Sequence, residues 1–524
     1  MLDLSYELLV TIQKYVNQYG NAICYKSSRN LFILRHLYPI QIYKIVNYEN
    51  EDISKFNIKN ISTDFHFNKE LKKIPSSVTH LTFGSYYNRE LNKLPSSITH
   101  ITIGEHYNGR IKNLPPLLKY ITFGWYFDQE LENLPDSIIY IKLGYQFNRK
   151  IQNLPSSLKY LIFGDNFNQP LINLPQSLLF IEFGLYFDQE LEHLPESLIH
   201  IIFGRDFNQE LKNLPSSLTH VIFGKKFNQK LQNLPQSLLR VVSGSYFNNK
   251  LKNLPETLTH ITIDMDVYHN YDFKYLPKSL KHIKLKNYNN QVLNNFPPVS
   301  THIQYLWKFN MKLKKLPQTV TRMTFGFDFN QELLDLCLLK LTHITFGYLF
   351  NQELKNLPQT LTHITFADHF NQELKNLPDS LIYIKFVGRF NQELKNLPYS
   401  LIYLILGIGF NQELKNLPDS LQYIKIGGFF NQELKNLPKS LRRINLGTKF
   451  NQKLINLPNS VTHISLDTYF NQELTNLPLS LTHIILGSDF KQSLKNLPRS
   501  LRYIAVSKSY MHEIPKYITF VVLF

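Results

Sequence analysis

A proline returns every twenty residues along this chain: Pro75, Pro95, Pro115 and onward to Pro255, and, after an irregular stretch, from Pro358 through Pro498. The unit around it reads FNQELKNLPQTLTHITFADH at 350–369 and recurs with small changes in the units that follow. A segment this short cannot enclose a core, because a handful of apolar side chains does not offset the entropy of ordering the backbone that carries them. Units must stack, each burying its apolar face on the next, so the period predicts a repeat solenoid. It runs over most of the 524 residues, so length here measures reach and not the number of domains.

Within the unit, Leu361, Ile364 and Phe366 follow the pattern L-x-x-I-x-F with polar Thr365 between the last two. That alternation predicts a short strand with one buried face. A glycine commonly follows (Gly84, Gly104, Gly124, Gly347, Gly407, Gly427), and Asp264 and Asp467 stand in for it. Both residue types tolerate positive φ, which predicts a turn of that kind after the strand. Next comes an aromatic column, Phe350, Phe370, Phe390, Phe410, Phe430, Phe450 and Phe470, each followed by Asn except where the unit degenerates. The rings read as a stacked core spine. Asn351, Asn371, Asn391 and Asn411 read as a ladder whose side-chain amides satisfy the backbone of the neighbouring turn. Leu-Pro then closes the unit as an extended return segment.

Composition narrows the setting. Two cysteines, Cys24 and Cys337, fall in different units, so no disulfide framework is expected and a reducing compartment is. Met1 is followed by Asp3 and Glu7 and not by a signal segment, and no apolar run reaches the ~20 residues that a bilayer requires. The expected protein is monomeric, makes no membrane contact, and is intracellular and cytoplasmic, in the host cytoplasm if viral. The formal charge of +17 raises the question of nucleic acid. However, Lys355, Lys375, Lys395, Lys415 and Lys435 each stand two residues after a glutamate, as a solvated face of paired charges would. Nucleic acid is therefore the weaker expectation.

The fuller signature F-N-Q-x-L-x-x-L-P-x-S-L-x-x-I-x-F-G resembles the FNIP repeat, a relative of the leucine-rich repeats found in social amoebae and in giant viruses that infect amoebae. The likeness covers residues 62 to 520 and implies a leucine-rich-repeat-like solenoid of short parallel β-strands with irregular convex segments. It also implies a binding role without catalytic chemistry. Residues 1–48 lack the repeat and read as a small α-helical module, with Leu8 or Leu9, Ile12 and Val16 on one helix face. The run LDLSYELLVTIQKYVNQYGNAICYKSSRNLFILRHLY resembles a degenerate F-box, which implies docking on the adaptor of a cullin-type ubiquitin ligase. Leu4, Leu8, Leu9, Ile12 and Leu31 would then make the adaptor contact. Leu4-Ser5 stands where that module opens with Leu-Pro, so a plain helical cap is the alternative. The domains expected are this module at 1–48, a linker and cap at 49–66, repeats at 67–509, and a C-terminal cap at 510–524. The repeats are irregular at 256–310 and near Cys337, where drift, a bend and a binding notch all remain open.

The likeness to leucine-rich repeats also implies that strand residues facing away from the core line a concave face. One such column contains His200, His220, Arg240, His343, His363, Tyr383, Tyr403, Tyr423 and Arg443, side chains that combine area with hydrogen-bonding groups and suit a partner. The next outward column varies more, with Lys142, Ile162, Glu182, Ile202, Lys385 and Asn445. No cysteine or carboxylate recurs at a register that would complete a metal shell around the histidines, and no metal or other cofactor is expected. Phosphate-loop, dinucleotide, zinc-protease and nucleophile-elbow motifs are missing, which points away from an enzyme. The expected protein is a protein-interaction solenoid. It is either a substrate receptor linked to ubiquitin ligation or a freestanding scaffold, with nucleic-acid binding a weaker alternative.

Overall fold

The computed structural model describes residues 42–45 and 58–523, apart from short stretches at 72–73, 92–93, 232–233, 247–252, 265–272, 287–295, 314–315 and 334–335. The five residues assigned to adaptor contact, Leu4, Leu8, Leu9, Ile12 and Leu31, lie outside the described residues, as does Cys24. Cys337 is an exposed free thiol.

Each unit contributes one strand, and the described strands join a single 25-stranded parallel sheet. Every strand pairs with its neighbours in sequence, from Ile42–Ile45 on Asn60–Thr63 to Tyr503–Val506 on Phe520–Leu523. The ladder thus includes strands on both sides of the repeats expected at 67–509. Register keeps the same repeat position opposite itself, His200 against His220 and His220 against Arg240. It holds through the irregular units as well, where His260 faces His282 over five aligned pairs and Arg322 faces His343. The extra residues there are taken up between strands and not within them. Where the proline is missing near Cys337, a 3-10 turn at Leu336–Leu338 takes its place, with the Leu339 N–H donating to the Leu336 carbonyl at 3.0 Å.

Two ring columns fill the core. Phe366, Phe370, Phe346 and Phe350 are all 2% exposed or less, and within a unit the two rings stack, at 4.1 Å for Phe366 and Phe370. The repeats fan outward from the strand side. Histidine rings at strand starts stack at 4.2 Å between units, as for His343 and His363. The strand phenylalanines Phe346 and Phe366 stand 5.4 Å apart, and the spine rings Phe350 and Phe370 stand 6.0 Å apart. Since paired strands sit ~4.8 Å apart, the stacked histidines of these units are drawn together and the spine rings spread, which puts the histidine side on the inner, concave side and the phenylalanine spine toward the convex one.

Polar groups lace the turns. The Asn371 N–H donates to Asn351 Oδ1 at 2.9 Å and the Asn391 N–H to Asn371 Oδ1 at 2.9 Å, so the asparagine ladder runs as the sequence suggests. Gln372 Nε2 adds a bond to the Asn351 carbonyl at 3.1 Å. Leu-Pro opens a tight turn and does not continue as an extended return: the Leu361 N–H donates to the Pro358 carbonyl at 3.1 Å. The intervening Thr360 hydroxyl donates to Leu341 O of the preceding unit at 2.8 Å, which accounts for Ser or Thr at that position.

The glycines serve a purpose other than the expected one. No described glycine has positive φ. A Cβ on Gly144 would lie 1.7 Å from the Gly124 carbonyl oxygen, so the residue is small because successive turns touch. Positive φ falls instead on the asparagine before Leu-Pro, at 57° for Asn113 and 56° for Asn356 and Asn376. Asparagine adopts that left-handed conformation more readily than other residues with a side chain.

Candidate partner-binding face

The concave surface is built from two strand positions that point away from the core and a third just before the strand. His200, His220 and Arg240 begin three consecutive strands, and His343, His363, Tyr383, Tyr403, Tyr423 and Arg443 begin six more. The structure therefore gathers the nine residues into two groups on one face, separated by the strands that start at His260, His282, His302 and Arg322. Adjacent rings touch: His200 and His220 lie 4.2 Å apart, His363 and Tyr383 5.4 Å, and Tyr403 and Tyr423 5.9 Å.

The residue before the histidine fixes the ring. Thr342 Oγ1 donates to the Thr321 carbonyl at 3.1 Å and lies 2.9 Å from His343 Nδ1. Thr362 and His363 repeat the arrangement at 3.0 and 2.9 Å, as do Thr482 and His483 at 3.1 and 2.9 Å. A hydroxyl has one proton; the tautomer that makes both contacts hydrogen bonds has the hydroxyl donating to the carbonyl and the ring donating from Nδ1, which leaves Nε2 as an acceptor. Burial, together with the charges of His363 and Arg322, holds the His343 pKa down to about 4. Burial acts in the same direction on His302, with His282 and Arg322, and the pKa again falls to about 4. His302 and His343 are thus neutral imidazoles near neutral pH. Because stacked rings carry parallel lone pairs, neighbouring Nε2 atoms do not converge, and among the described residues no group of three His, Cys, Asp or Glu side chains is placed to hold a metal ion.

Charge is distributed unevenly between the faces. On the outer surface Lys375 and Glu373 pair at 2.8 Å, and Lys395 and Glu393, Lys415 and Glu413, and Lys435 and Glu433 pair at 2.7 Å. These exposed pairs cancel, as the sequence spacing implies. The concave face does not cancel. Its mid-strand column carries Lys142, Lys284, Lys385 and Lys425. Its strand-start column adds Arg240, Arg322 and Arg443. Bordering them, one residue before the strands, are Lys59, Lys119, Lys159, Lys281, Arg442 and Arg502. Among the described residues of these columns the one carboxylate is Glu182. Burial raises the Glu182 pKa and Lys142 opposes the rise. Burial lowers the Lys284 pKa, and the charges of Lys286 and Arg240 push the same way.

The border column and its charge were missed by sequence reasoning, although the recurrent Thr-His pair was a signal that the residue before the histidine shares its face. Between the cations lie Ile162, Ile202, Ile222 and Val242, half-buried in the mid-strand column. A separate open recess of about 560 Å³ lies at the turn edge between Tyr186 and Tyr246. Its polar floor is already engaged. Asp188 Oδ1 accepts from the Asn208 N–H at 2.8 Å, and Asp206 pairs with Arg205 at 2.6 Å and Lys226 at 3.4 Å.

The FNIP Repeat family matches residues 67–106, 107–146, 147–186 and 187–226, and then, in overlapping segments, 339–509. CroV588, a giant-virus protein whose crystal structure is described as a novel circular LRR protein structure, shares 36% identity over 89% of this chain and 78% of its own, with a TM-score of 0.68. YopM from Yersinia enterocolitica shares 19% identity over 89% of this chain and 87% of its own, with a TM-score of 0.30. No curated protein matches the chain. A proline-marked unit of twenty residues, one strand per unit in a parallel solenoid, and the family match over most of that solenoid together establish that this chain belongs to the FNIP repeat family.

Proposed function

We propose that the chain is a non-enzymatic scaffold that binds a protein partner on its concave face. The observation that carries this reading is the contrast between a uniform framework and a varied mid-strand column. The strand-start column repeats His, Tyr or Arg with Phe180 as an exception, while the residue two places on changes from Thr122 to Lys142, Ile162, Glu182 and Ile202 along successive strands. Variation at one outward position of a fixed scaffold alters what is recognised without altering the fold. Solenoids of the leucine-rich-repeat kind generally bind proteins, which supports the same assignment. Chemical cross-linking of the purified chain to a captured partner tests it. Cross-links are expected on Lys142, Lys284, Lys385 and Lys425, and cross-links confined to the outer Lys375 and Lys395 overturn it.

A finer reading adds a link to ubiquitin ligation, with residues 1–48 docking the adaptor. It is supported by the apolar pattern of Leu4, Leu8, Leu9, Ile12 and Leu31. Adaptor retention by the full chain, lost with Leu8→Asp and Leu9→Asp, is the expected result. Equal retention by both, or none by either, reduces the segment to a cap. The reading places the protein inside the cell, where such adaptors operate.

A further inference from the structure

The excess of positive charge on the concave face specifies the kind of partner it fits. We propose that the face takes an acidic protein segment with interspersed aliphatic residues, an inference that rests on the concave face being the binding surface.

Three observations lead there. First, the charge balance differs between faces: the outer lysines are held by glutamates at 2.7 to 2.8 Å, whereas the cations of the concave columns have one carboxylate, Glu182, among the described residues of those columns. Arg240 and Lys284 stand on strands separated by the one that starts at His260, and the charge of Arg240 adds to burial and Lys286 in lowering the Lys284 pKa. An excess of one sign in a concavity with low-dielectric walls concentrates the field and draws in the opposite sign.

Second, the cations share their column with aliphatic side chains, as in Lys385, Ile405 and Lys425 on successive strands. Ile162, Ile202 and Ile222 occupy the same column as Lys142 and flank Glu182. A phosphodiester backbone has nothing to offer an isoleucine, and interfaces with nucleic acid are more polar than interfaces between proteins. A polypeptide supplies both carboxylates and apolar side chains.

Third, the histidine rings of the face are stacked on each other, whereas successive rings of Tyr383, Tyr403 and Tyr423 tilt by 44 to 47° from each other. His282 and His302 lie 4.2 Å apart at 28°, and His463 and His483 4.2 Å apart at 9°. The flat faces of these histidines are covered by neighbours, so the histidines do not form platforms on which unpaired bases stack. What they present is an edge bearing Nε2, an acceptor suited to peptide N–H groups.

The test measures binding of fluorescent probes to the full chain by anisotropy: a peptide of Glu-Glu-Leu repeats, and an oligothymidylate of equal charge. The triple variant Arg240→Glu, Lys284→Glu, Arg322→Glu is compared with an outer variant of the same charge change, Lys375→Glu, Lys395→Glu, Lys415→Glu. The peptide is expected to bind, to weaken roughly tenfold or more in the concave variant, and to be little affected by the outer one. If the concave variant does not refold by circular dichroism, the corresponding glutamine variant replaces it with the same expectation. Tighter binding of the oligothymidylate, falling steeply between about 50 and 200 mM salt, overturns the proposal in favour of nucleic acid. Absence of peptide binding, or equal loss in both variants, also overturns it. Cross-links from a protein partner to the concave lysines would then still support the broader scaffold reading, so the two fail separately.

Discussion

Thr342 and His343 form a unit in which each residue orients the other: Thr342 Oγ1 lies 3.1 Å from the Thr321 carbonyl and 2.9 Å from His343 Nδ1, and with the hydroxyl donating to the carbonyl the ring donates from Nδ1. One hydrogen bond thus ties adjacent repeats together and fixes which ring nitrogen the concave face presents. The same pair recurs at Thr99 and His100, Thr219 and His220, and Thr462 and His463.

Replacing Thr342 with Val keeps the β-branched shape and removes the hydroxyl. The expected cost is about 1 kcal/mol, the net worth of one hydrogen bond at a half-buried site. The diagnostic readout is the imidazole nitrogen spectrum of His343, which shifts from a single Nδ1–H tautomer toward a mixture. An unchanged tautomer would mean that stacking on His363, and not the threonine, orients the ring.

Acid should loosen the solenoid through these rings. The pKa of His100 is lowered to about 4, by burial first and then by His80 and Lys119, and those of His302 and His343 also lie near about 4. In the unfolded chain histidine titrates near about 6.5. The fold therefore favours the neutral ring, and the stability tied to it is complete above about pH 6.5 and is lost as pH falls toward about 4. Melting temperature is expected to be flat between about pH 7 and 8 and to drop below about pH 6.5. The drop should shrink when His302 and His343 are changed to Gln. A melting temperature constant down to about pH 5 contradicts the assignment.

Much of this fold was legible because the physics repeats. A strand of L-x-x-I-x-F, a buried ring and an asparagine, returning together, leave little freedom in how units stack, and Phe370 and Asn371 stand where that pattern puts them. Single-residue reasoning was weaker at the turns. Gly144 looks like any glycine that permits positive φ, yet it is small because Gly124 O presses on it from the previous turn, a contact between units that no local pattern encodes. Asn376 was not separable from its neighbours in the sequence, although it holds the left-handed conformation. The concave face was half-legible. Arg240 and Arg443 stood out in a column, whereas Lys119 and Arg442 joined the face only once the backbone before the strand was seen to turn with it.

The spine predicts a local failure. Phe370 is 1% exposed and stacked between Phe350 and Phe390 at 6.0 and 6.1 Å. Phe370→Ala should cost about 3–5 kcal/mol. Because each unit contacts only its neighbours, the damage should stay near that unit. Hydrogen exchange is expected to rise in the strands His343–Thr345, His363–Phe366 and Tyr383–Phe386 and to change little at His100–Thr102. Uniform loss of protection along the chain would show that the solenoid melts as one cooperative body.

Two glycines separate contact from conformation. Neither Gly144 nor Gly428 has positive φ, so alanine is allowed by the backbone at both. A Cβ on Gly144 lies 1.7 Å from Gly124 O and 2.7 Å from its carbonyl carbon, atoms of a packed turn that cannot move aside without shifting the neighbouring unit. A Cβ on Gly428 has no atom within 4 Å. Gly144→Ala should therefore destabilise by on the order of 3 kcal/mol as overpacking does. Gly428→Ala should instead stabilise by about 0.4–1 kcal/mol, because the unfolded chain loses freedom and the folded one loses nothing. Urea denaturation of the two variants reads the sign directly. A loss at both positions would return the glycines to a backbone role, and neutrality at both would mean that the stacked turns have more room than their carbonyl contacts imply.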